Sequence, residues 1–174
     1  MRIQVTKLIR QAQLSDADQL AIVRTSTWQM AYRGLMPDEI LDQFNLEEET
    51  ARWQSIISNL PPDRFIFSAC LDEKIVGFCS GGKNRDQDPV FDSEIFALYV
   101  LPKIQRTGLG KALLENSRAH LAEYGYKKMI IWTLKENQPA RSFYKSMGGL
   151  LVRKREIDIR GSVLWEVGYG WSLP

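Results

Sequence analysis

Two glycines that lie two positions apart, Gly108 and Gly110, mark the part of this sequence best suited to bind an anion. They follow an apolar run that ends at Pro102, and they precede a stretch whose apolar spacing predicts a helix. A strand that leads through a glycine-rich turn into a helix leaves the first N–H groups of that helix without intrahelical partners. These N–H groups and the positive end of the helix dipole favour a phosphate or pyrophosphate.

Other residues of this turn fit the same chemistry. Glycine lacks Cβ, so the backbone can bend sharply and an anion can approach it closely. Arg106 and Lys111 add full positive charges to the partial charges of the helix N-terminus. The remaining candidate binding residues of the turn are Gln105, Thr107 and Leu109.

Two common nucleotide-binding patterns do not fit the turn. A Walker A loop aligned on Gly110-Lys111 needs a glycine and a hydroxyl residue where the sequence has Gln105 and Ala112. A dinucleotide-binding fingerprint needs a third glycine, where Leu113 stands, and an acidic residue at the end of the next strand, where Trp132-Thr133 stand. The sequence therefore excludes both patterns.

A third pattern does fit. Residues 105–110 match Gln/Arg-x-x-Gly-x-Gly/Ala, which resembles the pyrophosphate loop of the GCN5-related N-acetyltransferases. Residues 137–148 resemble that family's Asn-x-x-Ala-x-x-Phe/Leu-Tyr-x-x-x-Gly signature, and they follow a strand-like run at 129–134, as the family requires. The resemblance implies an N-acetyltransferase that uses acetyl-coenzyme A (acetyl-CoA) as cosubstrate and needs no metal.

A purely structural interpretation also accounts for both segments. Gly108 and Gly110 would then merely begin a helix. Asn137 would be the N-cap of the next helix, Gly148 its C-terminal stop, and Tyr144 an aromatic residue at the edge of the core. The sequence leaves both interpretations open.

The resemblance implies catalytic roles for two residues. An amine that attacks a thioester must lose a proton, and the leaving thiolate gains from receiving one. Tyr144 is implied as the general acid, because a phenol keeps its proton at neutral pH. Glu94 is implied as the proton acceptor, through water. Strand alternation predicts that Glu94 shares a face with Phe96 and Leu98, although a strand end exposed to water would equally explain its charge.

Coenzyme binding is also expected to involve backbone and capping groups. In a fold whose two central strands splay apart, the backbone of Leu98, Tyr99 and Val100 could pair with the pantetheine amides. Asn137 could reach the pantetheine or the phosphates, in competition with its role as a cap. His120, the only histidine, is expected to be a surface or hydrogen-bonded residue rather than the base.

The acceptor is expected to bind between the first helices and the last hairpin. The candidate residues are Trp28, Tyr32, Asp38 and Glu39, and either acid could hold an ammonium group. Alternatively, Trp28 belongs to the core and the two acids are favourable first-turn charges of a helix. We expect a primary amine of a small molecule as the acceptor. A protein or peptide N-terminal acetyltransferase and a non-catalytic CoA-binding module remain alternatives.

Positioning these residues requires a mixed α/β fold. The apolar spacing predicts the order β, α, α, β, β, β, α, β, α, β, β in a single domain over residues 1–174. This order is similar to the acetyltransferase fold, which has a central, mostly antiparallel mixed sheet with splayed central strands flanked by helices. The first strand is expected at 5–10, and Ser15 and Asp18 are expected to form a capping box at the first helix.

The C-terminal strands and the cysteines carry two further expectations. Strands at 150–157 and 162–171 are expected to form a hairpin whose Trp165 and Trp171 could mediate a homodimer.

Turn geometry predicts that Cys70 lies opposite Val76 or Gly77 and not opposite Cys79, so we expect no disulfide.

Composition narrows the class of protein. The net charge of +2 over 174 residues gives no reason to expect nucleic acid or an anionic membrane as a partner. No apolar run is long enough to span a bilayer, and no leader is recognisable, so we expect a cytoplasmic protein. A single histidine and two cysteines predict no zinc site.

Overall fold

The computed structural model describes residues 7–174, which form one seven-stranded sheet flanked by helices. The strands are β1 Lys7–Gln11, β2 Arg64–Leu71, β3 Lys74–Lys83, β4 Ser93–Val100, β5 Lys128–Leu134, β6 Leu150–Ile159 and β7 Ser162–Ser172. The helices are α1 Ala17–Tyr32, α2 Asp38–Leu41, α3 Leu46–Ser58, α4 Leu109–Glu123 and α5 Gln138–Ser146. Positions 5 and 6 of the predicted first strand lie outside the described residues.

The sheet has the order β1-β2-β3-β4-β5-β7-β6, and only the central β4–β5 pair is parallel. The predicted mixed, mostly antiparallel architecture is therefore confirmed. Leu113 of α4 and Tyr144 of α5 belong to the core on one face of the sheet. Leu20 of α1 and Trp53 of α3 belong to the core on the other. We call these the α4/α5 face and the α1/α3 face.

The first helix begins differently from the prediction. Ser15 and Asp18 form no capping box. Instead the buried Asp16 carboxylate accepts a 2.8 Å hydrogen bond from the Gln13 N–H and forms an ion pair with Arg10 of β1 at 2.6 Å. A residue from a neighbouring strand thus contributes to the helix start, which a local capping pattern does not reveal.

A β-bulge in β4 changes which face its side chains reach. The pairing with β3 skips Phe96, so the simple alternation of side chains is interrupted there. Ile95 and Leu98 consequently pack in the same core, on the α4/α5 face. Glu94, next to Ile95, points to the opposite face. The prediction that Glu94 shares a face with Leu98 is therefore wrong.

A second bulge shifts the register of the β2–β3 hairpin. Cys70 pairs with Ile75, not with Val76 or Gly77 as predicted, and Cys79 lies opposite Phe67. Both cysteines are buried and free.

The C-terminal hairpin buries one of the two tryptophans proposed for a dimer. Trp171 is 5% exposed, and its indole N–H donates to the Met147 carbonyl at 2.9 Å. It packs so closely against Gly149 that a Cβ there would lie 2.4 Å from the indole ring. Trp165 is 38% exposed and carries Lys154 over its ring. The homodimer stays a prediction that now rests on Trp165, and light scattering would test it.

Candidate active site

The central strands β4 and β5 separate after three residue pairs. Residues 93–95 pair with residues 129–131, and no further pair joins the two strands within residues 7–174. Beyond this point residues 96–100 and 132–134 enclose an opening in the sheet, which we call the gap. Backbone groups of β4 that face the gap have no partner strand there and can pair with a ligand, although the Val100 carbonyl also accepts a hydrogen bond from the Gln105 side chain.

Only alternate residues of β4 turn their backbone N–H and C=O groups toward the gap. Leu101 donates its N–H to Val76 of β3 at 2.8 Å, so alternation turns the backbone groups of Tyr99 toward β3 as well. Those of Leu98 and Val100 turn toward the gap. The expectation that all three residues present free backbone groups is therefore wrong for Tyr99.

The turn between β4 and α4 has the backbone geometry that the predicted anion site would need. Arg106 and Gly108 both adopt positive φ angles, +63° and +89°. Gly108 precedes α4, and no side chain within the described chain caps this helix. Its first N–H groups are thus left for another acceptor, at the positive end of the helix dipole.

Three hydrogen bonds hold this turn in place. The side-chain amide of Gln105 donates to the Val100 carbonyl at 3.1 Å, and the Thr107 hydroxyl donates to the Ile104 carbonyl at 2.8 Å. The Lys7 ammonium donates to the Thr107 carbonyl at 2.7 Å. The side chains of Gln105 and Thr107 therefore shape the turn. Lys7 was missed by sequence reasoning, because no local pattern connects β1 to this turn.

The first turn of α4 contains a buried leucine, an exposed lysine and a second glycine. Leu109 is 2% exposed, so only its backbone can face a ligand. Lys111 is exposed and lies 3.7 Å from Glu115 one helical turn later. A Cβ at Gly110 would lie 3.6 Å from the Phe143 ring, which is ordinary contact, so packing within the protein does not require glycine there.

Tyr144 belongs to the core of the α4/α5 face, together with Leu98 and Val100 of β4. It is 5% exposed, and its ring lies 5.8 Å from that of Tyr169 and 6.1 Å from that of Trp171. Burial raises the pKa of its phenol far above the ordinary value, and Tyr99 and Cys79 act in the same direction. The hydroxyl therefore keeps its proton, and no other residue in the described part of the chain forms a hydrogen bond with it.

Asn137 caps α5, as the structural interpretation predicted. Its side-chain oxygen accepts a hydrogen bond from the Ala140 N–H at 3.1 Å. His120 was expected to be a surface or hydrogen-bonded residue, and it packs edge-on against Phe65 and Phe67 at 5.0 and 5.3 Å.

Glu94 lies at the point where the two strands separate, on the α1/α3 face. Its side chain is 1% exposed and accepts two hydrogen bonds from the Arg85 guanidinium, at 2.5 and 3.2 Å. Arg85 in turn stacks over Phe96 at 4.4 Å. The carboxylate is thus held in a buried ion pair beside the gap.

Ion pairs join the segment between β3 and β4 to the C-terminal hairpin. Asp88 forms an ion pair with Arg153 at 3.3 Å, and Asp86 forms one with Arg155. Arg155 also contacts Glu166 at 2.9 Å. Sequence reasoning missed these charged residues because their partners are distant along the chain.

Two of the four predicted acceptor residues come together. The rings of Trp28 and Tyr32 stack with centroids 4.3 Å apart, and both side chains are only partly buried. Asp38 is exposed and bound to Arg33 at 2.9 Å, and Glu39 is exposed beside it in the first turn of α2. The arrangement of the two acids agrees with first-turn helix charges.

Residues 7–174 contain no group of three or more His, Cys, Asp or Glu side chains arranged to hold a metal ion. No helix in the same range is both long enough and apolar enough to cross a membrane.

Comparison with known proteins identifies the family of this chain. The model of the Acetyltransferase (GNAT) family matches residues 28–149, which include the glycine turn and α5. The chain belongs to the GNAT acetyltransferase family. It is 33% identical over 165 residues to YuaI, an uncharacterized N-acetyltransferase of Bacillus subtilis, with 94% of this chain and 91% of that protein covered.

Solved structures agree with this assignment to the GNAT family at the level of the fold. The PaiA N-acetyltransferase of Thermoplasma acidophilum, in complex with coenzyme A, has a TM-score of 0.71 and 21% identity, with 93% of this chain and 98% of that chain covered. A GCN5-related N-acetyltransferase of Rhodopseudomonas palustris has a TM-score of 0.74 and 18% identity over 99% of both chains. The predicted family, fold and acyltransferase class are confirmed.

Proposed function

We propose that this GNAT acetyltransferase transfers the acetyl group of acetyl-CoA to a primary amine of a small molecule, by direct attack in a ternary complex. The observation that carries the proposal is the gap between β4 and β5, which opens beside the uncapped N-terminus of α4. A long thioester can extend along this gap while its diphosphate meets the helix N-terminus. The bound coenzyme A named for the PaiA structure supports acyl-CoA as the cosubstrate.

The diphosphate is assigned to the backbone of residues 106–111 and to the charges of Arg106 and Lys111. The pantetheine is assigned to the backbone of Leu98 and Val100, which alternation turns toward the gap. Because the side-chain oxygen of Asn137 caps α5, its side-chain NH2 group is the part that can donate to the ligand.

The acid and the base lie on opposite faces of the sheet. Tyr144, on the α4/α5 face, lies within electrostatic reach of Tyr99 on one side of the gap and stacks near Tyr169 on the other. It is suited to protonate the leaving thiolate. Glu94 lies on the α1/α3 face, where we place the amine, and it accepts the proton of that amine through water. Acceptor and coenzyme thus approach the gap from different sides, as a ternary complex requires.

Isothermal titration calorimetry with CoA tests the binding half of the proposal. Gly110→Glu should abolish binding because it places a carboxylate where the diphosphate would lie, while an acid in the first turn is favourable for the helix itself. Asn116→Glu, which adds the same charge to an exposed position further along α4, should leave binding unchanged. Undiminished binding by Gly110→Glu would contradict the assignment.

An amine panel with acetyl-CoA tests the catalytic half. Acetylation of free small amines is the expected result. Activity on peptide N-termini alone would instead identify a peptide acetyltransferase. CoA binding without turnover on any amine or peptide would identify a non-catalytic module.

A further inference from the structure

We propose that the acceptor side of the gap contains an anion-binding subsite centred on Arg24, and that the acceptor is a small amine that also carries an anionic group, a carboxylate or a phosphate. This inference rests on the proposed function, because it names the class of amine that the same site receives.

Arg24 presents a guanidinium with unused donors. Its side chain is 21% exposed, and one nitrogen contacts the Glu49 carboxylate at 3.0 Å. This is the only hydrogen bond of its guanidinium within residues 7–174, whereas a guanidinium has five N–H donors. Phe44 lies against the guanidinium at 5.6 Å. A largely buried arginine with open donors is well suited to bind a carboxylate or a phosphate with paired hydrogen bonds.

The position of Arg24 connects it to the gap. Arg24, Trp28 and Tyr32 follow one another at intervals of four residues, so they form one stripe along α1. Burial raises the pKa of Tyr32 and of Tyr99, and the Arg24 guanidinium opposes that rise in both phenols. The guanidinium therefore lies within electrostatic reach of both hydroxyls. Tyr99 belongs to the part of β4 that borders the gap, and it packs against the core of the α1/α3 face, which includes Leu20 one helical turn before Arg24. The stripe therefore lies on the acceptor side of the gap.

The stripe provides an aromatic wall next to this charge. Trp28 stacks on Tyr32 at 4.3 Å and meets Phe44 edge-on at 4.9 Å. Small-molecule sites are usually lined by apolar and aromatic side chains together with a few polar groups.

The charges on this face disfavour a polycationic acceptor. Three buried or nearly buried carboxylates lie here, and within the described residues each is already paired with arginine: Glu49 with Arg24 and Arg52, Glu94 with Arg85, and Glu166 with Arg155. A second ammonium group would find no free carboxylate among them. Two arginines share Glu49, which leaves positive charge in excess at the Arg24 end.

Burial lowers the pKa of Arg24 even though Glu49 acts to raise it. Arg24 has a single carboxylate partner, which Arg52 also contacts, so an anionic ligand would give its guanidinium a second partner.

The experiment compares matched acceptors on the CoA-saturated protein by titration calorimetry, where no acetyl group is present to react. The probes are linear amines of several lengths that end in a carboxylate, a phosphate or a neutral carboxamide, together with a linear polyamine. We expect at least one anionic amine to bind about tenfold more tightly than its carboxamide, since hydrogen bonds to charged groups are the stronger ones. Whether the carboxylate or the phosphate series binds more tightly identifies the anion. A carboxamide or the polyamine binding as tightly as every anionic probe would overturn the inference.

Two variants then test Arg24 itself. Arg24→Gln should remove the preference for the anionic probe while leaving the affinity for its carboxamide unchanged. Arg52→Gln is the matched control, because Arg52 contacts the same Glu49 carboxylate at 3.4 Å but is 53% exposed. It should retain the preference. If both variants lost this preference equally, Arg24 would act only through long-range charge, and the proposed subsite would be contradicted.

Thermal unfolding of each variant verifies that the protein still folds, and Arg24→Lys gives a second measurement. The lysine keeps the positive charge but lacks the planar guanidinium, so we expect a partial loss of the preference for the anionic probe.

CoA titration of the wild-type protein separates this inference from the proposed function. If CoA does not bind, the proposed function fails, whereas CoA binding without any anion preference contradicts the Arg24 subsite alone.

Discussion

Arg85 and Glu94 form a buried ion pair beside the gap, in which the guanidinium reaches both carboxylate oxygens at 2.5 and 3.2 Å. The carboxylate is 1% exposed, whereas the arginine side chain is 47% exposed. The pair therefore depends on an arginine from a surface segment that neutralises a charge inside the protein.

Removal of Arg85 should destabilise the protein. Arg85→Met leaves the Glu94 charge buried with only a backbone N–H as a donor, and we expect a loss of about 3 kcal/mol in the free energy of unfolding. Urea denaturation measures this loss. Arg64→Met is the control, because Arg64 also lies over Phe96, at 5.3 Å, but forms no ion pair with Glu94. It should cost less than about 1 kcal/mol. Equal losses in the two variants would contradict a stabilising role for the pair.

The two glycines of the turn should respond to alanine in opposite directions. Gly108 has a φ of +89° and nothing within 4 Å of an added Cβ, so Gly108→Ala should cost about 1 to 2 kcal/mol from backbone strain alone. Gly110 lies inside α4 with space for a methyl group, so Gly110→Ala should be neutral or stabilise by up to about 1 kcal/mol. Urea midpoints of both variants test the prediction, and a stabilising Gly108→Ala would refute it.

Substitution of Tyr144 by phenylalanine should separate activity from stability. The substitution removes a hydroxyl that no other described residue hydrogen-bonds and leaves the buried ring in place, so we expect the free energy of unfolding to stay about the same. As the proposed acid, Tyr144 should contribute about a hundredfold or more to kcat. Tyr124→Phe, on the exposed end of α4, is the control and should retain full activity. Unchanged acetyl transfer by Tyr144→Phe on every accepted amine would remove Tyr144 from the mechanism.

Tyr144 also predicts a feature of the pH profile. Because burial raises its pKa, the phenol keeps its proton above the ordinary value of 10, and its ionisation should cause no loss of kcat up to that pH. A fall in kcat near neutral pH must then come from another group. If Tyr144→Phe removed such a fall, this prediction would be wrong.

The Arg10–Asp16 pair should make stability depend on pH below about 4. Burial acts to raise the pKa of Asp16, but the Arg10 guanidinium and the Gln13 N–H outweigh it, so the net pKa is lowered below 3.8. A lowered carboxyl pKa contributes stability above the unfolded value, and this contribution is lost as the pH falls through the folded pKa.

Asp16→Asn should therefore cost about 2 kcal/mol at neutral pH, and its difference from wild type should shrink as the pH falls below 4. Denaturation at several pH values measures this difference. Asp18→Asn, at an exposed position nearby, should change stability by less than about 0.5 kcal/mol at every pH. A difference for Asp16→Asn that did not depend on pH would contradict the assignment.

The sequence by itself determined the parts of this protein that depend on neighbours along the chain. The glycine turn before α4 and the Asn137 cap of α5 were predicted correctly, because a cap or a left-handed glycine acts within three or four residues. The order of the strands was also predicted from local patterns, although three helices, and not the predicted two, lie between β1 and β2. The GNAT family was indicated by the resemblance of two short motifs.

Only the tertiary structure decided how the charges pair and which face each side chain reaches. Sequence alternation placed Glu94 with Leu98, but the bulge at Phe96 separates them, and that bulge is set by pairing with another strand. Arg85 was not recognised as a partner of Glu94, nor Lys7 as an anchor of the turn 100 residues away. The physical reason is range: backbone conformation is fixed largely by near neighbours, whereas ion pairs and strand register depend on segments that meet only when the chain has folded.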